Sequence, residues 1–421
     1  MPFTSAPSST GGRLPASVYA IAAGRAVSFL GDEIAVLAIA FRAKAELGHF
    51  GVAAVLMAGF LPLLVLSPFS GLLVDRVRTR PILVGVSLLQ AALCVGLAWS
   101  GAALLVPLVA LLACGTSLSQ PAWSALVPSL VTDAQLPKAQ GLLQSGQALA
   151  AVGGPFLGGL LVGLYGFHVP LVIDAASFVV LCSVPLALRL DRVPSGLGQS
   201  FSWPDAFAGV RLIARQPLLR AIVTLAACFV ITLGVVNVAE IFFVTTALHA
   251  GPLGYGLLGL SMGSGMLLTS ALAGRLAARF RPEAIFTVGC VSLCGTILAF
   301  GCATMYWEAA VAVFLAGAAN ALINVVVMVL LTRNAADEVR GRVFAAVNGV
   351  VSAAQIGAIG AGGLLLLAVA PRTIIIGGAV ASVVALCLTV GPVLRASAAS
   401  PLAEDGGDGV RAVSEPDLAT A

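Results

Sequence analysis

The sequence predicts an all-α membrane protein of about twelve transmembrane helices, arranged as two pseudo-symmetric six-helix bundles. Three observations predict it. First, 59% of residues are hydrophobic, 10% are charged and mean hydropathy is +1.06, whereas a soluble domain carries about 25% charged residues. Second, the charges gather in short islands between apolar runs of about twenty residues or more, the length that crosses about 30 Å of hydrocarbon at about 1.5 Å per residue. Third, stretches of the second half repeat those of the first at a nearly constant offset.

Residues 1–15 are rich in Ser, Pro and Gly and lack a basic n-region, and the first apolar run is too long for a signal h-region, so the first helix is expected to be retained. The first bundle, 16–188, is expected to cross the membrane at 16–41, 50–74, 81–100, 103–128, 138–164 and 167–188. The second, 218–395, is expected to cross at 218–247, 254–278, 284–303, 307–332, 342–368 and 372–394. Between them lies the longest interruption, with five arginines from Arg189 to Arg220 and an amphipathic stretch around Trp203 to Ile213. It is read as a linker, 189–217, on the cytoplasmic side. The tail 396–421 is small, polar and acidic, too poor in apolar residues to fold alone.

Charge placement sets the orientation. Eighteen of the twenty-two Lys and Arg residues fall in the termini or in loops on the same side as the termini; Arg25 lies within a span, and Arg42, Lys44 and Arg372 fall on the other side. The positive-inside rule then puts both termini in the cytoplasm of a cell whose inner, cytoplasmic membrane the chain crosses. The eight cysteines all lie inside spans without metal-ligand spacing, and His49, His168 and His249 are isolated. The pattern implies no metal, no cofactor, no nucleic-acid partner and no enzyme nucleophile.

The repeat is visible in two places. "GLLVDRVRTR" (71–80) aligns with "GRLAARFRPE" (274–283) at an offset of 203, sharing the Gly and Leu and matching Arg76 with Arg279 and Arg78 with Arg281. "DAQLPKAQGLLQSGQALAAVGGPFLGGLL" (133–161) aligns with "DEVRGRVFAAVNGVVSAAQIGAIGAGGLL" (337–365) at an offset of 204, matching Lys138 with Arg342, Gln144 with Asn348 and the closing Gly-Gly-Leu-Leu. A six-span unit repeated in parallel about a central loop is one of the architectures of transporters.

These residues carry a resemblance to the major facilitator superfamily over roughly 16–395. "GLLVDRVRTR" is similar to that family's signature between the second and third spans, Gly, three residues, Asp-Arg, then Gly and two basic residues; here Arg78 replaces the Gly and Thr79 one basic position. "GPFLGG" at 154–159 resembles the fifth-span signature of the family's antiporters. "LGDEIA" in the first span and "RGRVFAAVNG" opening the eleventh look most similar to the branch of macrolide efflux pumps and siderophore exporters. The resemblance implies the family's fold, a secondary active exporter of amphiphilic small molecules, drugs or secondary metabolites, working by alternating access in exchange for protons, mostly as a monomer. Many family antiporters carry an arginine in the middle of the fourth span; this chain has none there.

The glycines have a physical reading of their own. Lipid supplies no hydrophobic force between helices, so association depends on close backbone approach, which Gly154, Gly158 and Gly159 allow, while Pro155 removes a donor and permits a bend. Near the cytoplasmic face, the resemblance implies a gate built from Gly71, Asp75, Arg76 and Arg80, with Asp75 latched to Arg340 and Arg342 at the start of the eleventh span, where the helix dipole favours an acid.

Ionisable groups inside spans are functional candidates by default. Asp32, Glu33, Asp174 and Glu240 qualify, and Arg25 precedes Asp32 by seven residues on the same helical face. Desolvation holds a proton on a carboxyl and a nearby cation releases it, so Asp32, Glu33 and Glu240, with Arg25, are the proton-coupling candidates. Adjacent residues diverge by about 100° on a helix, so only one of Asp32 and Glu33 is expected to face the cavity. Matching "DEIAVLAIAF" with "AEIFFVTTAL" pairs Glu33 with Glu240 at an offset of 207. Asp174, mid-helix and without a counterpart, reads as well as an interhelical fixture. Gln144, Gln147, Asn237, Asn320, Asn324, Asn348 and Gln355 are expected to give the substrate cavity its polar groups.

Export of a small molecule through the bilayer is therefore the expected function, with an importer or facilitator of a metabolite or lipid-like solute on the same fold as the alternative. The latch is open to test. Asp75→Asn is expected to leave membrane expression unchanged and to cut transport severely; normal transport by that variant would remove the latch.

Overall fold

A computed structural model describes residues 14–132, 134–191, 217–279, 282–334 and 337–398. The amphipathic stretch at Trp203 to Ile213, with most of the expected linker, residues 1–13 and residues 399–421 lie outside the described residues. Every regular element among the described residues is helical: α1 (Ala16–Arg76), α2 (Thr79–Trp99), α3 (Ala102–Leu126) with a following 3-10 turn, α4 (Leu136–Tyr165), α5 (His168–Ala187), α6 (Pro217–Thr246), α7 (Pro252–Arg279), α8 (Pro282–Cys302), α9 (Tyr306–Asn334), α10 (Asp337–Leu365) and α11 (Pro371–Ala398).

Helix α1 carries the first two expected spans. Its 61 residues would run about 90 Å at about 1.5 Å each, three times a hydrocarbon core. It breaks at Gly48, where φ is 67° and ψ is −151°, a conformation almost confined to glycine. Residues 16–47 form its first arm and 49–76 its second. The first arm outlasts the expected end at residue 41 because helix propensity continues where hydropathy stops: Arg42 and Glu46 pair at 2.8 Å across one turn. Four later helices begin on proline, at Pro217, Pro252, Pro282 and Pro371, where the missing N–H costs nothing and the fixed φ is already helical.

Two of the three expected off-side cations cap helix ends. Arg42 is 3% exposed; its guanidinium donates to the carbonyls of Leu97 and Ser100 at the end of α2 and lies 4.6 Å over the Phe167 ring. Arg372 donates to the carbonyl of Ala303, just past α8, at 2.6 Å and lies 5.6 Å over the Phe243 ring. Each cation therefore satisfies orphan carbonyls at a helix C-terminus, where the dipole favours positive charge. The two helices so capped, α2 and α8, are equivalent members of the two bundles.

The helix pairings repeat. In the first bundle α1 packs on α3, α4 and α5, and α2 on α3 and α5; in the second, α7 packs on α9, α6 on α10 and α11, and α8 on α9 and α11. Two further pairings cross between bundles, α4 with α7 and the second arm of α1 with α10, and a pseudo-twofold exchanges them.

Paired glycines make these contacts. On α4, a side chain at Gly158 would meet the first arm of its own bundle, 3.2 Å from the Ile34 Cα and 3.3 Å from the Leu37 Cβ. One at Gly159 would meet α7 of the other bundle, running into the Pro252 carbonyl oxygen and lying 3.0 Å from the Gly256 Cα. On α10, Gly362 faces its own bundle, 3.1 Å from the Val235 Cα and 3.3 Å from the Val238 Cβ, while Gly363 faces Ala53 across the seam. Consecutive glycines point about 100° apart, so each pair lets one helix lie close to two neighbours at once.

The same contacts fix the register of the repeat. Ile34 and Leu37 stand to Gly158 as Val235 and Val238 stand to Gly362, and Glu33 stands to Gly154 as Gly234 stands to Ala358. Spans one and seven are thus related by an offset of 201, not 207, and Glu33 is not the counterpart of Glu240. The sequence match was between two acids in apolar helices of similar composition, with no loop signature to anchor it. Glu240 lies six residues, about 9 Å, further along its helix than Glu33 does.

The seam is closed at one end. The contacts of Val152, Pro155 and Gly159 with α7, and of Ala53 and Met57 with α10, lie in the halves of these helices distant from the chain termini. At that distal end Lys44 bonds to Thr245, the His49 and Phe242 rings lie 4.4 Å apart and Phe41 meets Tyr255 edge-on at 5.7 Å. Gly159→Ala is expected to destabilise the protein by about 1–3 kcal/mol, because the neighbours that must yield are backbone. Gly163→Ala, on the same helix with nothing within 4 Å, should be neutral or stabilising; thermal midpoints of the two purified variants check the difference in sign.

Candidate functional site

Inside the first bundle α1, α2, α3 and α5 line a narrow, open-sided pocket with about 30 Å³ of room inside. Helix periodicity builds its walls: Arg25, Ser28, Phe29 and Asp32 recur at three- and four-residue intervals on α1, as Thr116, Ser119, Gln120 and Trp123 do on α3. Gln90 of α2 and Phe178 and Leu181 of α5 complete the lining. The Arg25 guanidinium donates to the Gln120 side-chain oxygen at 2.9 Å and lies 5.1 Å from the Phe29 ring centre and 5.9 Å from that of Trp123. Asp32 is within electrostatic range of Arg25, Glu33 and Asp174. Gln90 donates to the Thr116 hydroxyl at 3.1 Å.

Asp174 is completely buried beside this pocket. The Cys94 thiol donates to its Oδ2 at 3.2 Å, and the Ser177 hydroxyl donates to the Asp174 carbonyl at 2.7 Å while lying 3.3 Å from its Oδ1. Gly31 makes the room: a Cβ there would lie 2.7 Å from Asp174 Oδ1 and 2.9 Å from Ser177 Cβ. This cluster ties α1, α2 and α5 together.

Asp32 and Glu33 do point apart. Asp32 lines the pocket, whereas Glu33 lies on the side of α1 that packs against Gly154 of α4. Glu240 sits near the distal end, within electrostatic range of Tyr255, whose ring meets Phe41 of the other bundle. Among the described residues no ion pair within 4.0 Å involves any of these acids or Arg25; the pairs are Arg42 with Glu46 and Arg78 with Asp191.

The remaining expected polar groups are spread out. Gln147, Asn320 and Gln355 are half-buried and Gln144, Asn237 and Asn324 exposed; Asn324 donates to the Asn320 side-chain oxygen at 2.6 Å. None lines the pocket in the first bundle. The side chains of Asn348, Gly71, Asp75, Arg340 and Arg342 lie outside the described residues, and the expected latch with them. Arg76 is exposed. Arg80 instead engages the end of α5: its backbone N–H donates to Asp191 at 3.3 Å and its side chain to the Leu186 carbonyl at 3.4 Å. Sequence reading passed over Gln90, Gln120 and Trp123, although glutamine inside an apolar run was a usable signal for the first two.

The chain matches the family model described as a transmembrane secretion effector over residues 21–418. The chain belongs to the major facilitator superfamily. Relatives agree in kind. An uncharacterised MFS-type transporter, YfiS of Bacillus subtilis (strain 168), is 26% identical over 82% of this chain and 85% of its own length. Macrolide efflux protein A of Streptococcus pyogenes is 27% identical over 61% of this chain and 65% of its own. The multidrug resistance protein MdtG of Salmonella paratyphi C is 26% identical over 53% of this chain and 56% of its own. Among solved structures, a bacterial homologue of the iron transporter ferroportin in its inward-facing state matches with a TM-score of 0.71 at 15% identity, covering 92% of this chain and 100% of that one. The peptide transporter POT matches at 0.73 and 15%, covering 91% and 95%. The superfamily fold thus has transporters, not enzymes, as its neighbours here, and the MFS protein described above is a multi-pass membrane transporter of a small molecule.

In this MFS chain the Asp174 cluster has no slack. Gly31→Ala is expected to cost about 1–3 kcal/mol through the contact with Asp174 and Ser177. Adding Ser177→Ala should recover part of that loss, because the two changes share one space; a thermal-melt double-mutant cycle measures the coupling.

Proposed function

We propose that this transporter exports amphiphilic small molecules across the cytoplasmic membrane, by alternating access and in exchange for protons. Both termini, the 189–217 linker and the 396–421 tail lie in the cytoplasm in this reading, and the protein works as a monomer. The observation that carries it is the seam, held by two symmetry-related helix pairs whose glycine contacts, among the described residues, lie in the halves of the helices distant from the chain termini. With the termini inside, that closed end is the external one, and in this reading the space between the bundles opens to the cytoplasm, where an exporter loads. The relatives named for macrolide efflux and multidrug resistance support the same direction of traffic.

Asp32, Glu33 and Glu240 exchange the protons in this scheme, Arg25 favours the ionised form of Asp32, and the polar side chains at Gln147, Asn320 and Gln355 contact cargo in the seam. Polar groups facing lipid are costly, which supports placing the exposed Gln144, Asn237 and Asn324, with Asn348, along the same water-filled space. Asp75, with Gly71, Arg76, Arg340 and Arg342, closes the cytoplasmic end when the external end opens. Glu240 beside Tyr255 lies where that opening would begin.

Accumulation of a labelled macrolide in expressing cells and in inverted vesicles tests the proposal. Expressing cells should hold less drug than controls, an uncoupler should abolish the difference, and Asp32→Asn or Glu240→Gln at equal membrane abundance should lower uncoupler-sensitive flux about tenfold or more. Flux that ignores the uncoupler would overturn proton exchange; accumulation driven inward would overturn export.

A further inference from the structure

The pocket inside the first bundle has an electrostatic character that export alone does not require. Arg25 is a guanidinium within the membrane-crossing part of α1, and among the described residues it has no acid within 4.0 Å and one hydrogen bond, to Gln120. A guanidinium carries five N–H donors, so most of its hydrogen-bonding capacity is unspent. A buried donor without a partner stands beside it. Trp123, which lines the same pocket, is 2% exposed, and its indole N–H is buried without a partner. A buried donor of this kind is almost always paired, and leaving it unmade beside a half-buried guanidinium with spare N–H groups is costly unless an acceptor arrives. Both belong to one wall, since the Trp123 ring lies 5.9 Å from the Arg25 guanidinium carbon.

We propose that this pocket is a binding site for the carboxylate of a small apolar acid, with the Arg25 guanidinium and the Trp123 indole N–H as donors. The guanidinium fork matches the two oxygens of a carboxylate, Gln120 and the Phe29 face hold that fork in place, and Phe29 and Phe178 offer the apolar part of the ligand a ring surface. The room inside, about 30 Å³, holds a group of a few heavy atoms such as a carboxylate, and the open side leaves the apolar part of a compact acid against the rim. Asp32, on the same face of α1 as Arg25, repels a second negative charge and so favours a monoanion. Asp174 and Glu33, the other acids near Asp32, act in the same sense. This inference rests on the transport reading for the fate of the ligand, and binding itself is independent of it.

Equilibrium binding to the full chain in lipid nanodiscs is the test, with 4-phenylbutyrate, its carboxamide and 4-phenylbutylamine as probes, read by tryptophan fluorescence and by calorimetry. The carboxylate should bind about tenfold or more tightly than the amide and amine. Arg25→Gln should erase that preference, bringing the carboxylate down to the level of the amide, and Trp123→Phe should weaken the carboxylate and remove most of the fluorescence response. Equal binding of the three probes, tighter binding of the amine, or a carboxylate preference that survives Arg25→Gln would each overturn the site. If Arg25→Gln does not fold by size exclusion, the probe comparison on the unmodified protein and on Gln120→Ala decides. No gradient is involved, so carboxylate binding without uncoupler-sensitive export sinks only the export reading, and the reverse result sinks only this site.

Discussion

Backbone approach at paired glycines is the contact on which the rest of this architecture depends. In water two apolar helices associate because water rejects them; in lipid that force is gone, and what remains is dispersion at short range. Gly158 and Gly159 on α4, and Gly362 and Gly363 on α10, bring each helix close to one neighbour in its own bundle and one across the seam. A side chain at Gly159 or Gly363 would hold the bundles apart, and one at Gly158 or Gly362 would loosen the bundle itself. The same two residues therefore set rigidity within a half and contact between halves. Among the described residues this joint is made by close backbone contact with no ion pair across it, which suits surfaces that must separate and meet again.

Polar chemistry is gathered in two places around that joint. One store lies within the first bundle, where Arg25, Asp32, Gln90 and Gln120 share a pocket and Asp174 is fixed behind them by Cys94 and Ser177. The other is at the distal end, where Glu240, Tyr255, Lys44 and Thr245 approach from both bundles. Breaking a buried polar arrangement costs several times more than separating apolar surfaces. The bundle-internal cluster thus behaves as part of a rigid body, while the distal group lies on the surfaces that part. Arg42 and Arg372 belong to neither store: they cap α2 and α8 and lock the distal ends of the two bundles.

Much of this was legible in the chain itself. Hydropathy located the spans to within a few residues, and failed at Arg42 to Leu47 and at Asp337 because polar residues with good helix propensity extend a helix beyond its apolar run. The Gly-Gly-Leu-Leu match at an offset of 204 was correct in register, since Gly158 and Gly362, and Gly159 and Gly363, have equivalent partners. The Glu33 to Glu240 match was not, because one acid in an apolar helix carries too little information to fix a register that only helix contacts define. Arg25 and Asp32 were visible as costly groups in a span, but their partners Gln120 and Trp123 are about a hundred residues away in sequence, and no local pattern links them.

The sequence by itself determined the solvent, the number of crossings, the duplicated design and the places where helices can come close, because each of these follows from local composition and period. Tertiary structure decided which way each polar side chain turns, that Asp32 opens into the first bundle while Glu33 backs onto Gly154, and that the seam closes at the end away from the termini. Those outcomes depend on the rotation and register of one helix against another. Rotation is set by many weak contacts between residues far apart in the chain, and no single segment encodes it.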